Sequence, residues 1–314
     1  MPFITLEEHY ISSKVRSAND EFASFPAHIT QKLSSLSAER IQDMDSGNVA
    51  LQILSHAPGT YPPALCTSTN NQLAQAISQN PKRLAGFALL PMGDPSSAAS
   101  ELERCVREHG FLGALVDNHI NGRFYDGPEF RVVFEKAAEL DVPIYLHPSW
   151  ASPEMLEHYK GGYADEVAVA MSAFGWGWHS ETAVHVLRLY ASGLFDDVPG
   201  LKIVLGHMGE MLPFQMERVV GVTGRWGLRR GFQEVWYSNF WITTSGMFSL
   251  APLACLLRTT KIERVLYSVD YPFSDNKKGA DFVERIKKSG LMSAEDLEKF
   301  AHGNAEALFG VGPV

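Results

Sequence analysis

Cysteine is scarce in this chain of 314 residues: there are three, and no two of them form a C-x-x-C pair. Cys66, Cys105 and Cys255 therefore build neither a disulfide framework nor a thiolate metal site, and a reducing, cytoplasmic compartment is expected. No apolar run reaches the roughly 18 residues that a membrane-spanning helix needs. The opening from Met1 to His9 lacks a basic segment followed by an apolar one, so no signal peptide is expected. Positive charge is outnumbered, with 27 Lys and Arg against 36 Asp and Glu for a net charge of -9. That balance argues against nucleic acid or an anionic membrane surface as the main partner. Also absent are a P-loop, a G-x-S-x-G elbow and a Cys/His nucleophile pair.

What is present is a rhythm. Short apolar runs at 3–7, 49–54, 84–90, 113–116, 143–147, 202–206, 239–243 and 265–269 alternate with longer amphipathic stretches. Strands alternating with helices imply a parallel sheet. Eight of them, without the glycine-rich first turn of an open dinucleotide-binding sheet, predict a distorted (β/α)8 TIM barrel. With 45% hydrophobic residues the chain can build one large core, and residues 1–314 read as a single domain. Phe130, Val133, Phe134 and Ala137 follow Pro128 at helical spacing. Val184, Leu187 and Leu194 mark a helix from Glu181, another begins near Pro213, and Ser293 to Asp296 resembles a capping box. Insertions at 10–38, after the first strand, and 148–180, after the fifth, are expected to roof an active site on the carboxyl face.

That face collects the chemistry. Glu7 and His9 end the first run, His147 the fifth, His207 the sixth and Asp270 the eighth. Glu7 and His9, two apart on an extended segment, share one face and can meet one cation. Alone, the pair reads as two polar residues at a strand exit; with His147 it completes a three-ligand set with open positions. Asp270 is either a further ligand or an N-cap for the segment 279–289, and a buried aspartate is costly unless paired or metal-bound. Glu210, three residues after His207, can accept its ring N–H and fix its tautomer. Arg218 reads as a surface residue or an anion clamp, and His179 as a pocket-lining candidate. His185 reads as packing, and His28, His109, His119, His158 and His302 as surface or local hydrogen bonders.

These residues, in this order, resemble the amidohydrolase superfamily. More narrowly, they are similar to its decarboxylase branch of aminocarboxymuconate semialdehyde and hydroxybenzoate decarboxylases. Leu6-Glu7-Glu8-His9, Leu54-Ser55-His56-Ala57-Pro58-Gly59, Val142 to Pro148, Trp178 to Ala183, Leu205 to Pro213 with Arg218, and Ser268 to Phe273 carry the likeness over nearly the whole chain. The resemblance implies one divalent metal ion (Zn, Mn or Mg) held by Glu7, His9, His147 and Asp270, and no organic cofactor. It implies Asp270 as the catalytic group with His207 and Glu210 assisting, and a role for Arg218; Arg218, Phe273 and His179 are the residues expected on the substrate. It further implies a small aromatic carboxylate substrate and a homo-oligomer, dimer or tetramer. The expected reaction is reversible, non-oxidative decarboxylation of an ortho-hydroxybenzoate; the alternative is metal-dependent hydrolysis of a lactone or amide. Two departures stand out: His56 sits where relatives carry Asn or Thr, and Ser274 where they often carry Glu.

Overall fold

The computed structural model describes residues 1–16 and 25–313. Among the described residues nine strands, all paired in parallel, form the framework: β1 (Phe3–Tyr10), β2 (Val49–His56), β3 (Leu84–Gly86), β4 (Ala88–Leu89), β5 (Ala114–Asp117), β6 (Ile144–His147), β7 (Ile203–Leu205), β8 (Phe240–Thr243) and β9 (Val265–Leu266). The expected third run is divided at Phe87. β3 pairs with β2, and β4 with β5. Phe87 itself points into the barrel interior, beside Tyr145. At the other edge β1 meets the end of the last run through a parallel bridge between Glu8 and Tyr271, where His9 N donates to Tyr271 O at 2.7 Å.

Two apolar layers follow from strand alternation. Ile4, Leu6, Leu51, Ile53, Leu115, Tyr145, Val204 and Leu266 fill the barrel, with Ala305 and Leu308 of the last helix packed against them. Their neighbours, among them Leu54, Val116, Leu146, Leu205 and Ile242, face outward onto the helices. The helix after Pro128 buries Phe130, Val133, Phe134 and Ala137 as the spacing predicts, and Ser293 caps the helix Ala294–Glu298 through Asp296 N. The helix expected from Glu181 starts earlier, at Gly177. It buries Thr182, His185, Val186, Leu189 and Tyr190, leaving Val184 exposed on the opposite face, and it ends at Ala191, so Leu194 opens a separate short helix, Leu194–Asp197. No helix of the described residues is long and apolar enough to cross a membrane.

One irregularity positions the site. Between Thr5 and Glu8, β1 advances three residues while β2 advances two, from Gln52 to Leu54. This bulge changes the phase of alternation. Ile4 and Leu6 point inward before it, and Glu7 and His9 point toward the barrel mouth after it. Ser268 Oγ takes up the displaced backbone donors, accepting from Leu6 N at 3.1 Å and Glu7 N at 2.8 Å.

Candidate metal centre and cavity

The centre is built around one oxygen. Glu7 is fully buried, and its Oε2 accepts from the Tyr145 hydroxyl, which also bonds Thr243 Oγ1 at 2.8 Å and Ser245 Oγ at 3.1 Å. Glu7 Oε1 has no well-aligned hydrogen-bond partner among the described residues. Around it stand His147 Nε2 at 3.2 Å, His207 Nε2 at 3.5 Å and His9 Nε2 at 4.0 Å, and His9 Nε2 lies 3.5 Å from Asp270 Oδ1. Gly206 makes room for a close approach here: a Cβ would meet Glu7 Oε2 at 2.7 Å.

The outer ring atoms fix the tautomers. His147 Nδ1 donates to Pro148 O at 2.6 Å, leaving Nε2 free toward the centre. His207 Nδ1 faces Glu210 Oε1 at 2.8 Å, and His179 Nδ1 faces the other oxygen, Oε2, at 2.7 Å. The turn carrying His207 is strained: His207, Met208, Glu210 and Met211 all have positive φ. Such strain persists where surrounding contacts over-determine it, and it clusters at functional sites.

Burial alone would raise the Glu7 carboxyl, but His207, His147 and His9 overcome that and hold it well below the usual carboxylate range. Burial would lower His207, yet Glu210 and Glu7 push it up to about 10; His147 is raised against burial by Glu7. The anionic point that favours the charged form of these two imidazoles equally suits a metal cation, which would stand where their Nε2 protons do. Ligand atoms about 2.1 Å from one ion, at tetrahedral or octahedral angles, stand about 3.0–3.4 Å apart; the separations here run from 3.2 to 4.0 Å, slightly wider than a bound ion would hold them. The unpartnered Glu7 Oε1 and His9 Nε2 are the orphaned polar atoms such an ion would satisfy. Glu7–His9–His147 and Glu7–His207–Asp270 each offer ligand atoms within 4.8 Å of one another, so the residues fit one divalent ion.

Above this centre lies a cavity of about 330 Å³, floored by His9, His147, His207 and Asp270. Both insertions roof it: Phe25, Pro26 and Ile29 from the first, Trp150, Phe174 and Trp178 from the second. Residues 17–24 of the first insertion lie outside the described residues. Among the described residues no lysine or arginine lines the cavity. A larger groove of about 780 Å³ at the amino ends of the strands contains no histidine and none of these groups.

Of the residues singled out in the sequence, Glu7, His9, His147, His207, Glu210 and Asp270 come together here, and Phe273 lines the cavity with its ring 5.8 Å from His9. Asp270 is no helix cap; Asp275 caps the helix Asn276–Ser289. His179 does not line the cavity but sits behind His207, on Glu210. Arg218 is exposed on the helix Leu212–Thr223, outside the cavity of its own chain, because its position faces away from the buried Met216. His56 is a buried structural residue whose Nε2 accepts from Ser12 N, and burial pushes it down to about 4. Tyr145 was not anticipated; its place two residues before His147, on the same strand face, was the available signal.

A barrel of parallel strands with carboxylates and imidazoles gathered at the carboxyl ends defines the class of metal-dependent barrel enzymes. The chain belongs to the amidohydrolase family, whose profile matches residues 34–311. Decarboxylase orsB of Emericella nidulans is 46% identical, over 99% of this chain and 97% of its own length. The gamma-resorcylate decarboxylase of Polaromonas sp. is 35% identical over 98% of each chain. The crystal structure of a dihydroxybenzoic acid decarboxylase from Polaromonas sp. JS666, with bound manganese and the inhibitor 2-nitroresorcinol, superposes with a TM-score of 0.89 at 33% identity, covering 100% of this chain and 98% of that one.

Proposed function

We propose that this protein is a metal-dependent decarboxylase of ortho-hydroxybenzoates, with Glu7, His9, His147 and Asp270 as the metal ligands. The observation that carries the reading is the unpartnered, fully buried Glu7 Oε1 among three imidazole nitrogens, at the floor of an apolar cavity without lysine or arginine among the described residues. Two imidazoles and two carboxylates suit manganese or zinc better than magnesium, which prefers an oxygen shell. When bound, the ion supplies orientation and charge neutralisation for the substrate carboxylate and its neighbouring hydroxyl oxygen.

The chain's own residues do the rest. The aromatic and proline walls hold the ring flat and exclude water. An aryl anion has no stabilisation, so the ring carbon bearing the carboxylate is protonated before the C–C bond breaks. Asp270, on the cavity floor, delivers that proton. The electron pair of the breaking bond then returns to the ring, restoring aromaticity and releasing CO2. His207, within 4.8 Å of the Asp270 carboxylate and held by Glu210, returns a proton to Asp270 for the next cycle. Phe273 contacts the ring edge. His179 supports Glu210 from behind. The reverse carboxylation of a phenol runs at high bicarbonate.

The test is a panel of salicylate, 2,3- and 2,6-dihydroxybenzoate and 6-methylsalicylate, followed for CO2 and phenol in parallel with metal analysis. Turnover of at least one supports the reading. Hydrolysis of a lactone or amide panel instead would assign a hydrolase, and silence on both with metal present would assign a binding protein. The proposal includes a cytoplasmic setting, with Cys66 and Cys105 as buried free thiols, and a dimer or tetramer. Phe174, Trp176 and Phe214 are the exposed apolar side chains a second copy would cover. A monomer in sedimentation velocity at micromolar concentration would contradict that last point.

A further inference from the structure

We infer that Glu8 is the positioning residue of this centre: it ties the turn carrying Asp270 to β1, and so sets Asp270 at its distance from Glu7 and His9. The inference rests on the ligand set proposed above. Glu8 is fully buried and lies on the opposite face of β1 from Glu7 and His9, pointing into the seam between the first and last strands. Among the described residues, the four groups that bond it are all donors. Its Oε1 accepts from Ser268 Oγ at 2.9 Å and Val269 N at 3.0 Å; its Oε2 accepts from Tyr271 N at 3.2 Å and Gln52 Nε2 at 3.4 Å.

Two of those donors are the backbone amides on either side of Asp270. Asp270 itself has φ 65°, a left-handed conformation that a non-glycine residue keeps only under external constraint. The network reaches the other ligands through their backbones. Ser268 Oγ, while donating to Glu8, accepts from Glu7 N. Gln52 accepts from Arg40 Nη1 at 3.0 Å, and Arg40 Nη2 donates to His9 O at 2.6 Å. Glu8 thus touches no ligand atom but is linked to the main chain around three of the four ligand residues. A seam that needed only cohesion would be filled by apolar side chains, since burying a carboxylate is costly.

Glu8→Gln is the informative variant. It keeps the shape, yet neither orientation of the amide satisfies the site, because its NH2 must face two donors whichever way it is turned. Metal-stripped protein titrated with manganese chloride, with bound manganese read by electron paramagnetic resonance, measures the effect apart from turnover. Glu8→Gln is expected to bind manganese about 10- to 100-fold more weakly, the range for residues that orient ligands, and to lose kcat at saturating manganese. Its metal-free Tm should fall no further than that of Thr244→Val. Thr244→Val breaks the adjacent Thr244–Ser268 pair without touching the amides flanking Asp270, and its manganese affinity should stay within about threefold. Manganese affinity of Glu8→Gln within about threefold of the parent overturns the inference. Should Glu8→Gln not fold, Ser268→Ala, which removes the linking hydroxyl, must weaken manganese at least about fivefold, and unchanged affinity there overturns it equally. Asp270→Ala separates the two levels. If it leaves manganese affinity unaltered, the ligand set itself is wrong; if it weakens manganese while Glu8→Gln does not, only the role of Glu8 falls.

Discussion

Tyr145→Phe removes one oxygen from beneath Glu7. In the parent, the Tyr145 hydroxyl bonds Glu7 Oε2, Thr243 Oγ1 and Ser245 Oγ. Thr243 and Ser245 also bond each other, so they keep a partner in the variant and the loss falls on Glu7. A hydrogen bond to a buried charged group contributes about 1.5–3 kcal/mol. By the tenfold-per-1.4 kcal/mol rule this is roughly 10- to 150-fold in an equilibrium constant. Glu7 is the group around which His9, His147 and His207 are arranged, so the loss should appear in metal affinity. Manganese titration of metal-stripped protein should give a Kd weaker by about that factor, in line with groups that orient ligands. The loss should also shrink the Tm gain on adding manganese, because stabilisation follows the ratio of free metal to Kd. An unchanged Kd, with a lowered Tm of the metal-free protein, would refute the reasoning and leave Tyr145 as a core residue only.

Three further outcomes are expected. Gly206→Ala places a methyl 2.7 Å from Glu7 Oε2 and 3.1 Å from the Tyr145 hydroxyl, so manganese affinity should fall by about tenfold or more, measured by the same titration. His185 is fully buried, accepting from Tyr125 N, and burial depresses it to about 3. Neutral in the fold and protonated below its ordinary value of 6.5 when unfolded, it contributes stability that is fully present above pH 6.5 and is lost as pH falls toward 3. Between pH 7 and 5 that loss is about 2 kcal/mol, so His185→Gln should flatten the pH dependence of urea unfolding by that amount; an equal slope in both proteins would contradict it. Stripping the metal with a chelator should abolish turnover, and manganese should restore it; activity that survives stripping would remove the metal from the account.

The convergence of Glu7, His9, His147, His207 and Asp270 was legible because each ends a β-run and parallel strands bring their carboxyl ends to one face. The roofing insertions were legible as excess length at that same end. The bulge at Leu6–Glu7 was not, since one extra residue in a strand leaves no mark on composition. Phe87 split its run for a similar reason: a buried strand is apolar on both faces, so periodicity does not reveal where pairing changes partner. Val184 was misplaced because the buried stripe of that helix includes His185 and Tyr190, which polarity scales set aside. Tyr145 and Glu8 carry little sequence signal of their roles. One stands inside an apolar run and the other at the end of one, without a partner visible in sequence, and only the atoms they face reveal the polar work each does.

The role of Asp270 as proton donor is the step that one variant tests most directly. Asp270→Asn keeps an oxygen for the metal but no acid. Manganese content and CO2 release from the panel benzoate that the parent turns over fastest, measured on one preparation, should show most of the metal retained and turnover lost by at least about 100-fold, the contribution of a positioned general acid. Full activity in that preparation would contradict the account.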